Sequence, residues 1–542
     1  MGLTKKDVMK VSKDGGELAW AVENVRAGGI IEISAGIFHL NSRLIINKPL
    51  TIKGEGKEKT LVVCSAGGGV VLFGGECCRW VSDLHFEYKG PYAANVVAVD
   101  NGRFNFQRCS FTGNNEAWGN KPSRDYETGN GLFIAGSAKG LLQDCDFHNN
   151  KHSGIMITAG AKPKITGCNL CGGAVGIYIA GRARPVIEGN CCNENGVGIY
   201  VTGDSQPVLE SNQCNKNKNG IIFHGKAIGV AKNNNCVGNM WGIAVEGSSS
   251  PTLKNNSCNK NKYVGIVFTG KSIGKAINNE CNRNRLGISV AGESRPILEG
   301  NLCNENWELG IAFLERSAGL ALKNECLGNE RCGIIAKNRS HPFLEGNRCS
   351  ENGEIGIAFH EMSAGNALNN ECMKNLLGIY VSDEAHPFLE GNLCNENQFV
   401  GIIFRGKASG RAFNNECEGN NRFGISVEAE SQPVLESNRC NKNGRTGIAF
   451  YGKSSALALN NECIRNEQRG ISVDDESSPL LENNRCYENR DGINFSGKSA
   501  GTARSNYCMS NLWGIYVSNE AQPTLENNHC SGNTMDFLTK EK

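Results

Sequence analysis

The sequence predicts an all-β fold, a parallel β-helix of about twenty stacked coils with a capping helix at its N-terminal end. Three observations carry this expectation. Asn-x-Cys recurs every 22 or 23 residues, sixteen times, from Asn190 and Cys192 to Asn528 and Cys530. Three residues after each of these cysteines stands another Asn, from Asn195 to Asn533. Each unit also carries apolar residues two apart, as at Ile199 and Val201, which places them on one face of a strand. A period of 22 or 23 residues is too short for two packed helices. Three short strands fill it, for example 198–201, 207–210 and 212–214. Successive coils would then bond at the inter-strand spacing of about 4.8 Å.

The elements follow in chain order. Residues 1–60 read as a cap with the first strands. Residues 1–16 are polar and hold no apolar signal-peptide core, and Lys6 stands where myristoylation asks for Ser or Thr. The expected compartment is cytoplasmic. Leu18, Ala21, Val22 and Val25 fall at helical spacing, which predicts a short amphipathic helix over the open end of the stack.

Residues 61–170 read as irregular coils. The cysteine column continues backward as Leu170, Phe147, Phe111 and Phe86, and the asparagine column as Cys168, Cys145 and Cys109. From Phe111 to Phe147 the spacing is 36 residues where 23 is usual. This predicts an inserted loop at 112–130 bearing Trp118, Lys121, Arg124, Asp125 and Tyr126. Aromatic and charged groups on a loop over a rigid scaffold suit a partner-binding surface. A loop folded over the cap is the alternative.

Residues 171–533 read as regular coils in alternating pairs. One inward column alternates Leu and Ala (Leu209, Ala231, Leu253, Ala276), and a second alternates Val and Phe (Val201, Phe223, Val245, Phe268). A coil with Leu carries the smaller Val and a coil with Ala carries Phe, so volumes balance within each coil, as dense packing requires. A turn column alternates in sign through Glu384, Lys407, Glu430, Lys453, Glu476, Lys498 and Glu520. The intervening glutamates argue against a basic ridge there. Asp474 and Asp475 read as a variant of the same charge pattern. Between Glu293 and Glu384 the column departs to Arg316, Arg339 and Met362, with Trp307 and His341 close in sequence. Trp307, Arg316, Arg339 and His341 are therefore further candidates for partner binding, against drift in a tolerant turn. Residues 534–542 read as a tail too short for a full coil. Strand edges around Trp513, Ile515, Val517 and Leu525 would then be open to self-association through the C-terminal end, unless Met535, Phe537 and Leu538 fold back.

Composition bounds the partners. With 57 basic and 55 acidic residues the net charge is +2, so no global field draws nucleic acid or a membrane, and no apolar run reaches membrane-spanning length. The 25 cysteines follow the repeat and not a metal finger. Reduced thiols acting as small buried apolar groups are expected, with no metal and no cofactor. Cys168 and Cys171 form the one CxxC, with no second pair.

The opening, Gly15-Gly16-Glu17-Leu18-Ala19-Trp20-Ala21-Val22 through Gly29-Ile30-Ile31-Glu32-Ile33 to Leu50-Thr51-Ile52-Lys53-Gly54, resembles the N-terminal cap of the pectin-lyase-like superfamily. The coils with Gly-Ile-x-Val/Phe and Asn-x-Cys-x-x-Asn resemble its right-handed parallel β-helix repeats. They look closest to the carbohydrate-binding/sugar-hydrolase repeat class, as in F-box-protein β-helices and periplasmic copper-maturation proteins. The resemblance implies a single right-handed solenoid and leaves function open among lyases, hydrolases, epimerases and binding scaffolds. The superfamily's paired-Asp hydrolase pattern, Gly-His-Gly segment and lyase arginine motif are all missing. Arg108, Asp144, His148 and His152 are the least poor catalytic candidates. The expected function is a non-catalytic β-helical scaffold for a protein or glycan partner. The alternatives are a carbohydrate-active enzyme (polysaccharide lyase, epimerase or hydrolase) and a substrate-recognition subunit of a ubiquitin-ligase-like assembly.

Overall fold

The computed structural model describes residues 6–113 and 128–539. The chain divides into two compact units, Met1–Lys262 with Ser272–Lys275, and Tyr263–Lys271 with Ala276–Lys542. Both repeat one coil, about 22 turns in all, in which three strands run parallel to those of the next coil. We call the three faces sheets A, B and C, in the order the chain visits them. In one coil of the first unit they are Val208–Glu210, a single bridge at Gln213, and Asn219–Phe223.

The helix Gly15–Asn24 is the one helix among the described residues. Asp14 caps it by accepting from the Glu17 amide at 2.9 Å, while the Glu17 carboxylate accepts from the Ser12 and Lys13 amides, each at 2.8 Å. Those reciprocal bonds satisfy donors that a helix start otherwise leaves open. Leu18, Ala21 and Val22 are buried, and the helix packs against the strands Val8–Val11, Ile30–Ile33 and Gly36–Leu40.

The inner columns form as the repeat requires. Leu209 pairs with Ala231 and Val201 with Phe223 in the first unit. In the second, Leu389 sits between Ala367 and Ala412, and Val381 between Phe359 and Phe404. All of these side chains are fully buried. The earlier coils fill the same space with rings: Phe111 stacks on Phe147 at 4.8 Å and lies 5.7 Å from Phe86.

From Asp83 onward each corner between sheets A and B turns on one left-handed residue, such as Ser211 (φ 55) and Asn233 (φ 57). The asparagine that follows repairs the lost backbone pairing. The Asn212 amide and its Nδ2 donate to Asn234 Oδ1 at 3.0 and 2.9 Å, and the same Nδ2 donates to the Ile187 carbonyl at 2.9 Å. A short carboxamide offers both an acceptor and donors to the neighbouring coils, which suits Asn to this column from Asn190 to Asn528, where the earlier coils carry Cys109, Cys145 and Cys168. A second ladder at the corner between sheets B and C includes Asn420, whose amide donates to Asn443 Oδ1 at 3.0 Å.

All 25 cysteines are unbridged, and the repeat cysteines from Cys192 to Cys508 are buried. In the sign-alternating turn column, Lys453 meets Glu476 at 3.7 Å, and upstream Lys271 meets Glu293 at 3.4 Å. Residues 535–539, expected as part of a tail, run as the strand Met535–Thr539 paired with Trp513–Val517. No helix among the described residues is long and apolar enough to cross a membrane.

Candidate functional site

The outward face of sheet A in the first unit carries a column of four cations. The strands Arg103–Gln107, Lys139–Gln143 and Lys162–Thr166 pair so that Arg103 faces Lys139 and Lys139 faces Lys162. The next coil continues the row with Arg184, whose amide donates to the Ala161 carbonyl at 2.9 Å, as the Lys162 amide donates to Ala138 at 2.9 Å. All four side chains are exposed. Among the described residues no carboxylate lies within 4.0 Å of any of them.

Adjacent cations at the strand spacing repel by about 1 kcal/mol per neighbouring pair even in water. At several other positions the fold offsets that cost by placing an acid on the adjoining coil. In the second unit Arg285 meets Glu308 at 2.8 Å, Arg465 meets Glu488 at 2.7 Å and Arg504 meets Glu482 at 2.8 Å. Among the described residues the column from Arg103 to Arg184 lacks that compensation.

Beside it lies a groove of about 580 Å³ lined by Cys78, Trp80, Arg103, Asn105, Lys139 and Leu141, among others. Trp80 stands on the strand Cys78–Ser82, faces Asn105 in register, and is 55% exposed. Trp80, Asn105 and Leu141 line the groove in register on three successive strands. Beneath the groove Arg79 is fully buried and donates to the carbonyls of Gly74, Gly75, Cys77 and Asn101. Burial holds its pKa below the usual arginine value. The result is a rigid corner that places one more positive charge under the groove. The groove lining contains no carboxylate.

The catalytic candidates do not converge. Arg108 and Asp144 both turn the corner between sheets A and B, with φ of 51 and 54. Arg108 is committed to Asp83 by bonds of 2.7 and 2.8 Å, which hold the Asp83 carboxyl below its usual range. His148 lies at the far end of the strand Asp146–His148, with Cys171 Sγ 4.0 Å from its Nδ1. Asp144 and His148 stand at opposite ends of a segment that first turns the corner and then runs as the strand Asp146–His148. His152 follows in the next turn, where partial burial lowers its pKa.

Trp118, Lys121, Arg124, Asp125 and Tyr126 lie outside the described residues. In the second unit, Trp307 sits at the corner between sheets B and C, one strand away from Arg316, since Leu309–Phe313 intervenes. Arg316 and Arg339 share the corner between sheets C and A, where Arg339 Nη2 lies 3.8 Å from Met362 Sδ. His341 opens the strand that follows, His341–Glu345. Among the described residues no cluster of three His, Cys, Asp or Glu is placed to hold a metal ion.

The sequence profile described as right handed beta helix region matches residues 94–256, 241–375, 363–475 and 434–537. The chain belongs to this right-handed β-helix family. No curated protein matches the sequence. Among solved structures it is similar to the PL6 family alginate lyase AlyGC, at 10% identity over 98% of this chain and 100% of that one, with a TM-score of 0.37. It is also similar to DFA-IIIase from Arthrobacter chlorophenolicus A6, at 11% identity over 68% and 94% of the two chains, TM-score 0.32. Pectate lyase Pel9A gives 15% identity over 56% and 76%, TM-score 0.27.

Proposed function

We propose that the chain is a non-catalytic β-helical scaffold that binds an acidic polysaccharide along the sheet A column of its first unit. The observation that carries this reading is the uncompensated row Arg103, Lys139, Lys162 and Arg184 beside the exposed Trp80. One cation per coil, about 4.8 Å apart, suits a chain with one carboxylate or sulfate per sugar lying across the coils. The indole face suits the C–H face of a sugar ring, and Asn105 offers amide donors and an acceptor for hydroxyls. A groove lining without carboxylates gives no acid–base pair for glycoside hydrolysis.

A filter assay with polygalacturonate, alginate, dextran and single-stranded DNA tests the reading. Retention of the two acidic glycans, weakening with salt, with no retention of dextran, supports it. Equal retention of DNA would replace a glycan site by a general polyanion site. Retention of dextran alone would overturn it. The cytoplasmic expectation belongs to this proposal as well: unbridged, buried thiols suit a reducing compartment.

A further inference from the structure

In the second unit the outward face of sheet C changes character within two coils. Its first outward column is apolar at Leu377, Val400 and Phe423, then reads Thr446, Arg469, Asp491 and Trp513 in register. The neighbouring column reads Ala449, Ser472, Asn494 and Tyr516. Arg469, Asp491, Asn494, Trp513 and Tyr516 of these columns line a pocket of about 430 Å³ together with Gln468 and Arg490.

Two of these residues are costly where they stand. Asp491 is 7% exposed and Asn494 is 3% exposed, and the Oδ1 atom of each has no donor. A buried acceptor left unpaired is destabilising, so such atoms point to a partner that brings donors. Asp491 Oδ2 is 3.6 Å from Arg469 Nε and 3.5 Å from Asn494 Nδ2. Arg469 is fixed in turn by Ser472 Oγ at 3.0 Å and by Asp474 at 3.6 Å. Asp474 accepts from Ser472 and Ser496. On the other side the Trp513 and Tyr516 rings meet edge to face at 6.3 Å, both partly exposed.

We infer that this pocket is a second binding site, distinct from the sheet A column, that takes an uncharged sugar ring. Two acceptors without donors call for hydroxyls, and two rings call for a flat C–H face. Charge selects among the ligands that satisfy both. Arg469 and Arg490 flank the acceptors and oppose an ammonium or guanidinium ligand. Asp491 and Asp474 oppose a carboxylate or sulfate. The four formal charges cancel, which leaves a neutral polyol as the fitting class.

Saturation-transfer NMR and calorimetry on the full chain test this, with methyl glucoside, methyl galactoside, methyl mannoside, methyl glucuronide and ethylammonium as probes. At least one neutral glycoside is expected to give ring-proton saturation and a saturable heat. Trp513→Ala and Asn494→Ala should each weaken it tenfold or more, and Lys407→Gln, at an exposed turn outside the pocket, should leave it unchanged. Circular dichroism melting of each variant separates lost binding from lost fold. Because Trp513 is only partly buried, its variant keeps the test valid if Asn494→Ala fails to fold. Retention of neutral glycoside by Trp513→Ala, binding of the glucuronide or ethylammonium in preference, or no binding of any neutral glycoside would each overturn the inference. Acidic-polysaccharide binding should survive in Trp513→Ala, so failure here is distinguishable from failure of the sheet A site.

Discussion

Single side chains show where sequence reasoning ended. The Asp491 carboxyl sits above its ordinary range because burial disfavours its charge, with Arg469 and Arg490 opposing the rise. Its folded pKa therefore exceeds its unfolded value, the folded state binds the proton more tightly, and stability falls as pH rises through the folded value. Asp491→Asn is expected to match or exceed the parent in melting temperature at pH 7 and to flatten the dependence between pH 4 and 7. A variant clearly less stable at pH 7 would show that the ionised carboxylate is a net stabiliser. Trp80→Ala should weaken acidic-glycan binding about tenfold, ~1.4 kcal/mol, with an unchanged melting curve, since the ring is 55% exposed. Neither residue announced itself in the sequence. Asp491 follows Arg490 in a coil that otherwise keeps the repeat, and Asp474 read as one more turn charge. Their meaning appears only when Arg469, Asp491 and Asn494 are set side by side across coils.

At the scale of the strand and coil, far more was legible. Inward positions repeat because each must fill the same volume, so Leu389 and Val381 could be placed from periodicity alone, and both are fully buried. Leu389→Ala should cost about 2–5 kcal/mol. Adding Val381→Phe restores the Ala–Phe combination of the adjoining coils, Ala367 with Phe359 and Ala412 with Phe404. Urea unfolding should show the double variant recovering part of the loss. A double variant no more stable than Leu389→Ala would deny volume balance within a coil. Outward positions carry no such constraint, which is why the cation column was missed. Its members are 36, 23 and 22 residues apart, and the first interval contains the inserted loop. A fixed period does not align them, whereas strand register does. Asp144 and His148 show the opposite case: they are close in sequence, yet one turns the corner between sheets A and B and the other ends the strand Asp146–His148.

For the molecule as a whole, the two Asn ladders and the column of unbridged thiols describe a fold held by repetition. Burial pushes the Cys303 and Cys326 thiols well above the ordinary cysteine value, so their thiolates are scarce. Thiol titration should find the repeat cysteines unreactive in the native chain and reactive in denaturant, with the exposed Cys78 reacting first. Disulfides between successive repeat cysteines in mass spectrometry would contradict this. The central functional claim concerns charge on one face of one unit, not the net charge of +2. Its most direct test is calorimetric titration of polygalacturonate into the parent chain and into the combined variant Arg103→Gln, Lys139→Gln, Lys162→Gln and Arg184→Gln, each at two salt concentrations. The account predicts binding by the parent that weakens steeply with salt, and no detectable binding by a variant that melts like the parent. Undiminished binding by that variant would contradict it.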